Sequence, residues 1–290
     1  MDPFVVHAYA KINLGLKVLG KREDGYHNIL SVFQTLDLSD QLTLSRFQSG
    51  EVEILCEHPN VPTDSSNLIF RAIEALWNET GCREGMKIHL QKNIPVGAGL
   101  GGGSSDAAAV LRILNKVWKL ELSTSRLREI ASELGSDVPF FLRRGTAIVT
   151  GRGERIRYLQ WTPNVFFAVV YPGVHISTRW AFENLTLNLT KTRVYNKFVN
   201  SVDDFGLTSP DSLLDILEND FSALIESTYP IVGKALKSLT KLGASSCSLS
   251  GSGSAVFGVF RDREEAFNAV SHMKDCGFEA YLCRPISDRV

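Results

Sequence analysis

Residues 95–109 read Pro95-Val-Gly-Ala-Gly-Leu-Gly-Gly-Gly-Ser-Ser-Asp-Ala-Ala-Ala109. Five glycines fall within seven residues, two serines follow, and an apolar helix pattern starts at once. Glycine lets the backbone turn tightly and approach a ligand closely, because no Cβ stands in the way. A helix N-terminus adds unpaired N–H groups and the positive end of the helix dipole. Together they make a cradle for phosphate, and a nucleotide is the ligand expected there. The plainer alternative is a flexible glycine-rich loop, but such loops rarely run straight into a serine-capped helix.

Three look-alikes are weighed against this stretch. Gly97-Ala-Gly99-Leu-Gly-Gly102 satisfies the dinucleotide fingerprint, which also wants a strand ending in an acid about 20 residues on. Glu121 stands at that distance, yet Lys119-Leu-Glu-Leu-Ser123 is too short and polar for a buried parallel strand. A P-loop needs lysine at the helix start, and none is there. Asp204-Phe-Gly206 mimics one protein-kinase element, but no H-R-D loop or V-A-I-K strand accompanies it.

Phosphoryl transfer rests on positioning and charge neutralisation, helped by a carboxylate that takes the attacking hydroxyl's proton. Asp137 is a candidate, standing between a finished helix and Val138-Pro139-Phe140. An N-cap acid complementing a helix dipole explains the same position. Lys11 shares a strand face with Asn13, so both can point into one cleft; a solvated strand lysine is the competing reading. Tyr26 and His27 follow the turn-like Glu23-Asp-Gly25 and suit stacking on a flat base and hydrogen bonding to its edge. Gly251-Ser252-Gly253 joins two strand-like runs and reads as a hairpin turn.

The elements that position these residues are legible in the patterning. Val6 to Leu16 alternates as a strand. Val32 to Leu44 reads as strand, turn at Ser39-Asp40, strand. Asn67 to Trp77 reads as a helix, and Met86, Ile88 and Leu90 as the strand feeding the glycine loop. The helix after the loop carries Val110, Ile113, Leu114, Val117 and Trp118 on its inner face, and Leu127 to Leu134 forms a further helix that Gly135 ends. Beyond residue 160 the run Val165–Tyr171 predicts a buried central strand. A polar excursion over Thr186–Ser212 precedes helices near Ser212–Ile225 and Pro230–Leu242. Two strands about Gly251–Gly253, a helix at Arg263–Cys276 and a strand at Phe278–Cys283 complete a β-α-β-β-α-β, ferredoxin-like order with an extra helix. The expected division is 1–160 and 161–290, an α/β (α+β) chain of two domains.

Composition narrows the function classes. The 290 residues are 44% hydrophobic and 22% charged with a net charge of −1, ordinary for a soluble globular protein and without the basic field that holds nucleic acid. No run approaches membrane-spanning length, and Met1-Asp-Pro-Phe4 leads directly into a strand pattern rather than a targeting segment. Five scattered cysteines without a C-x-x-C pair suggest reduced thiols and no structural zinc. A cytoplasmic protein acting on small molecules, without nucleic-acid or membrane partners, is expected, as a monomer or weak homodimer.

The order proline, glycines, paired serine and alanine-rich helix resembles the superfamily of galactokinase, homoserine kinase, mevalonate kinase and phosphomevalonate kinase. The extra glycine before Ser104 is similar to the branch acting on a cytidine-diphosphate-bearing methylerythritol in the non-mevalonate isoprenoid pathway. Ala10-Lys-Ile-Asn-Leu14, Arg22-Glu-Asp-Gly-Tyr-His27, Leu134-Gly-Ser-Asp-Val-Pro-Phe140, Gly151-Arg-Gly-Glu154 and Ser248-Leu-Ser-Gly-Ser-Gly253 agree with it. The resemblance implies an N-terminal ribosomal-protein-S5-like domain and a C-terminal ferredoxin-like domain. It implies Mg²⁺-ATP held by Pro95, Val96, Gly97, Ala98, Gly99, Leu100, Gly101, Gly102, Gly103, Ser104 and Ser105, with Asn67 and Lys92 near the nucleotide base. Asp137 is then the base and Lys11 its charged partner. Asn13, Tyr26, His27, Phe33, Phe182, Gly251, Ser252 and Gly253 line the acceptor site, Tyr26 and His27 at the cytidine. Ser104, Ser105 and Asp106 are candidate Mg²⁺ contacts, with no choice made among them. Another small-alcohol kinase, or a non-catalytic sensor on the same fold, is the alternative.

Overall fold

The structure, a computed structural model, describes residues 3–186, 214 and 217–288. It forms two compact units, and the long strands β1 (Phe4–Lys21) and β2 (His27–Phe47) contribute to both. One unit comprises Met1–Lys11, Asp37–Val96 and Gly101–Arg144; the other comprises Ile12–Leu36, Gly97–Leu100 and Gly145–Val290. A cut at residue 160 therefore does not follow the compact units, because Ile12–Leu36 groups with the second half of the chain.

In the first unit, Gln41–Phe47 of β2 pairs antiparallel with β4 (Gly85–Gln91), which pairs parallel with β3 (Val52–Leu55). Helix α1 (Leu68–Thr80) starts at Asn67, whose side chain accepts from the Ile69 N–H, and stops at Gly81 in the left-handed region. It buries Ile69, Ala72, Ile73, Leu76 and Trp77. The 3.6-residue stripe of α2 (Gly102–Val117) buries Ala107, Val110, Leu111 and Leu114. Ile113, Val117 and Trp118 are only half-buried, so Leu111 takes the inner position assigned to Ile113. Helix α3 (Thr124–Leu134) is capped by Ser123, and a 3-10 turn follows at Val138–Leu142. No turn occurs at Ser39-Asp40. β2 runs straight through, and Asp40 accepts from the N–H groups of Asn93 (2.7 Å) and Ile94 (2.8 Å) rather than bonding within a turn of its own.

In the second unit, Ile29–Gln34 of β2 pairs with β5 (Thr146–Gly151), and β5 pairs with β6 (Arg155–Tyr158). A second sheet has the order β10-β7-β9-β8, from β7 (Phe166–Tyr171), β8 (Ser246–Leu249), β9 (Val256–Phe260) and β10 (Glu279–Cys283). All its pairs are antiparallel, which is the ferredoxin-like arrangement read from the sequence. Helices α4 (Thr178–Asn184), α5 (Ser222–Thr228), α6 (Pro230–Lys241) and α7 (Arg263–Asp275) belong to this unit. Its core includes Val170, Phe221, Ile225, Leu239, Phe260 and Met273. The helix expected from Ser212 starts at Ser222 among the described residues. Asp204-Phe-Gly206, and the polar excursion apart from Thr186, lie outside the described residues. Among the described residues no helix is long and apolar enough to cross a membrane.

Candidate active site

In the first unit the glycine loop enters α2 through Gly101, which has φ 76°. A Cβ at Gly101 would lie 2.6 Å from the Phe141 ring and 3.2 Å from Lys11 Cγ. Only glycine tolerates both the left-handed backbone and this close approach. The helix entrance is thereby packed against Lys11 and against the 3-10 turn that follows Asp137. Gly101 supplies no side-chain cap, and the first turn of α2 holds no acid. The leading N–H groups of the helix thus have no side-chain acceptor at the cap, which suits the oxygens of a polyphosphate.

Asp137 precedes the 3-10 turn but makes no side-chain cap bond to it, so the capping explanation fails. Its carboxylate instead lies 3.7 Å from Lys11 Nζ. The Lys11 side chain is 4% exposed and that of Asp137 34%. Burial pulls the Lys11 ammonium below the usual lysine range, and Asp137 offsets part of that shift. The arrangement backs an accessible carboxylate with an inaccessible cation. It can accept a proton from an approaching hydroxyl while the cation steadies the negative charge.

A second charge cluster lies at the same helix start. Lys92 Nζ pairs with Asp40 and sits 2.8 Å from Asp106 Oδ2, with all three side chains no more than 4% exposed. A Cβ on Gly102 would come within 3.1 Å of Lys92 Nζ and 3.3 Å of Asp40 Oδ2. Burial opposes the charge on Lys92, yet the two carboxylates outweigh it and raise its pKa. Burial, with Asp40 nearby, pushes Asp106 up to about 7 despite Lys92. Its other oxygen, Oδ1, has no hydrogen-bond partner among the described residues. The sequence reading put Lys92 near a nucleotide base and Asp40 in a turn; the structure joins them in one buried triad. The missed signal is the spacing of Asp40 at the middle of β2 against Lys92 just past the end of β4, which antiparallel pairing brings together. Asn67, also read as near the base, caps α1 and donates to the Pro62 carbonyl.

The second unit holds the remaining candidates. The turn Ser250–Ser254 is tied to the middle of the glycine loop: Ser250 Oγ donates to the Gly99 carbonyl (3.0 Å), and the Ala255 N–H donates to that of Ala98 (3.0 Å). A Cβ at Gly99 would lie 2.3 Å from the Ser250 oxygen. Ser252 shares a hydrogen bond with Thr178 (3.1 Å), and Asn219 donates to the Gly251 carbonyl (2.8 Å). The segment is the expected hairpin connection, between the antiparallel β8 and β9, and it is braced by these bonds. His27 stacks on Phe182 at 5.0 Å between ring centroids, and Phe182 meets Phe221 edge-on. Tyr26 is 52% exposed, whereas Phe33 is 2% exposed and belongs to the core. Asn13 is buried and donates to Ser31 Oγ (2.9 Å). Burial, and then Lys21, lower the His27 pKa.

Known proteins share this plan. The GHMP kinase N-terminal domain matches residues 67–145 and the GHMP kinase C-terminal domain residues 204–278. The chain is 41% identical to the 4-diphosphocytidyl-2-C-methyl-D-erythritol kinase of Chlorobium phaeobacteroides, covering 98% of this chain and 96% of that protein. It is 38% identical to the enzyme of that name in Syntrophotalea carbinolica over 99% and 100% of the two chains. A crystal structure of 4-(cytidine 5'-diphospho)-2C-methyl-D-erythritol kinase matches with a TM-score of 0.79 at 31% identity, over 98% of this chain and 100% of that one. A mevalonate kinase structure matches with a TM-score of 0.75 at 14% identity, covering 98% and 100%, a likeness of fold alone.

Proposed function

Given that this chain belongs to the GHMP kinase family, we propose that it transfers the γ-phosphate of ATP to the 2-hydroxyl of 4-diphosphocytidyl-2-C-methyl-D-erythritol. Identity of 38–41% over nearly the full length to kinases of that name supports the acceptor. The observation that carries the chemistry is the Lys11–Asp137 pair, with its half-open carboxylate and with Lys11 packed against Gly101 at the start of α2.

Asp137 takes the hydroxyl proton as the oxygen attacks the γ-phosphorus. The bond from that phosphorus to the β-phosphate oxygen breaks, and ADP leaves. Lys11 keeps Asp137 oriented beforehand and faces its carboxylate with a positive charge. The loop 95–105 holds the phosphates through backbone N–H groups. Mg²⁺ arrives with ATP as part of the donor and neutralises phosphate charge. Ser104, Ser105 and the Asp106 oxygen that has no hydrogen-bond partner among the described residues are this chain's candidates to meet it or its waters. Lys92 supports the loop's end at Gly102, and Asn67 fixes the start of α1. Tyr26, His27 and Phe182 receive the cytosine, and Asn13, Phe33 and the Gly251–Gly253 loop support the acceptor site. The protein works in the cytoplasm on small molecules, as a monomer or weak homodimer, without nucleic-acid or membrane partners.

Homoserine and mevalonate have no base to occupy an aromatic pocket, so kinases for them are disfavoured. The test is ADP release from Mg²⁺-ATP with a panel of alcohols. Only the cytidine-bearing acceptor should support rapid turnover. Equal or faster release with mevalonate or homoserine would overturn the assignment.

A further inference from the structure

Arg152 sits at the end of β5, where no role has been assigned to it. Gly151, with φ 71°, turns the chain there, and the Arg152 N–H donates to Glu154 Oε2 at 2.7 Å. This fixes the backbone and aims the side chain. The guanidinium carbon lies 5.2 Å from the centroid of the Tyr26 ring, within cation–π range. Among the described residues Arg152 makes no ion pair within 4 Å, whereas Arg22 pairs with Asp24 and Arg155 reaches Glu154. Its cation lies over the ring; it also acts electrostatically on Asp24, which is paired with Arg22 and lies beyond ion-pair distance from Arg152. Tyr26 stands on a tight turn: the Arg22 N–H donates to the Tyr26 carbonyl (2.7 Å), and the Tyr26 N–H donates to Asp24 Oδ1 (3.1 Å). That turn fixes the Tyr26 backbone but leaves the residue 52% exposed.

We infer that Arg152 is a positioning residue for acceptor choice: its guanidinium covers one face of the Tyr26 ring and holds the other face ready for the cytosine. The inference rests on the cytidine reading of Tyr26 given above. An exposed tyrosine on a turn samples several rotamers, and each must be given up when a base stacks on it. A planar cation on one face restricts the ring in advance, so binding loses less freedom. Lysine keeps the charge but lacks the flat surface, so it should replace arginine only in part.

The experiment measures competition by cytidine and by cytidine 5'-diphosphate in the phosphorylation assay, with wild type, Arg152→Ala, Arg152→Lys, Tyr26→Ala and the double variant. An exposed cation–π contact corresponds to about a two- to fivefold change in affinity. Arg152→Ala should weaken cytidine and cytidine diphosphate by the same factor of that size and raise the acceptor KM alike. Its kcat, the KM for ATP and the melting temperature should stay unchanged. Arg152→Lys should recover part of the loss, and Arg152→Ala should add nothing once Tyr26 is alanine. Arg155→Ala, which removes a nearby exposed cation, should change none of these constants. A loss confined to cytidine diphosphate, or one that persists in the Tyr26→Ala background, would show a direct phosphate contact and overturn the inference. An unchanged acceptor KM in Arg152→Ala would overturn it too. Wild type that fails to phosphorylate the cytidine-bearing acceptor, or is not inhibited by cytidine, would instead bring down the proposed function and this inference with it.

Discussion

Two clusters of lysine and aspartate stand at the start of α2, and they differ in one respect that matters. Lys11–Asp137 has a single carboxylate, 34% exposed, at 3.7 Å from its cation. Asp40–Lys92–Asp106 has two carboxylates closed around one ammonium, with no side chain above 4% exposure. In the open pair burial dominates and the lysine pKa falls; in the closed triad the second carboxylate reverses the balance and it rises. The same residue types thus do different work. An accessible carboxylate can meet a substrate proton, while an enclosed one is kept from the attacking hydroxyl and acts on the backbone and field around it. Exposure, more than charge, separates the reacting group from the supporting one.

The largest effect expected from this division is on turnover. Asp137→Asn keeps the shape and hydrogen-bonding reach of the side chain but cannot accept the proton. A general base of this kind contributes about 10²–10⁴-fold. Steady-state kinetics should show a loss in that range, with ATP affinity and melting temperature near wild type. A variant keeping more than half of wild-type turnover would erase the distinction between pair and triad.

The triad should answer in stability instead. Lys92→Met leaves two buried carboxylates without their cation, and breaking a buried ion pair costs about 3–5 kcal/mol. Urea unfolding should show a drop of that order. A drop under about 1 kcal/mol would mean that the triad is wetter or looser than its burial implies.

The smallest effect concerns pH. Asp106 has its pKa raised in the folded protein to about 7, so the folded state binds its proton more tightly than the unfolded chain. Its contribution to stability is full below the ordinary aspartate range and is lost as pH rises through about 7. Asp106→Asn should therefore flatten the fall in melting temperature between pH 5 and 8 relative to wild type. Parallel curves for the two proteins would contradict the raised pKa.

Local chemistry was readable where it is carried by short stretches. The glycine loop, the Asn67–Trp77 helix pattern and the ferredoxin-like order all follow from spacing and turn residues, and the family motifs drew Lys11 and Asp137 together. Long-range partnership was not readable. Asp40 looks like a turn residue beside Ser39, and only the pairing of β2 with β4 brings it to Lys92. The same holds for Arg152 and Tyr26, which lie far apart in sequence and meet through the pairing of β2 with β5. The periodicity of α2 placed Ile113, Val117 and Trp118 on the inner face, where they are only half-buried, and passed over the buried Leu111, because an alanine-rich start leaves the stripe weakly marked.

In the proposed function the acceptor is recognised by its cytidine. The most direct measurement is kcat/KM for wild type with 4-diphosphocytidyl-2-C-methyl-D-erythritol and with 2-C-methyl-D-erythritol 4-phosphate, which carries the same 2-hydroxyl without the base. Aromatic stacking on a base is worth roughly 1–3 kcal/mol, about a 5- to 150-fold preference before any hydrogen bond from His27. The account predicts at least that preference for the cytidine-bearing acceptor. Equal kcat/KM for the two alcohols would contradict it.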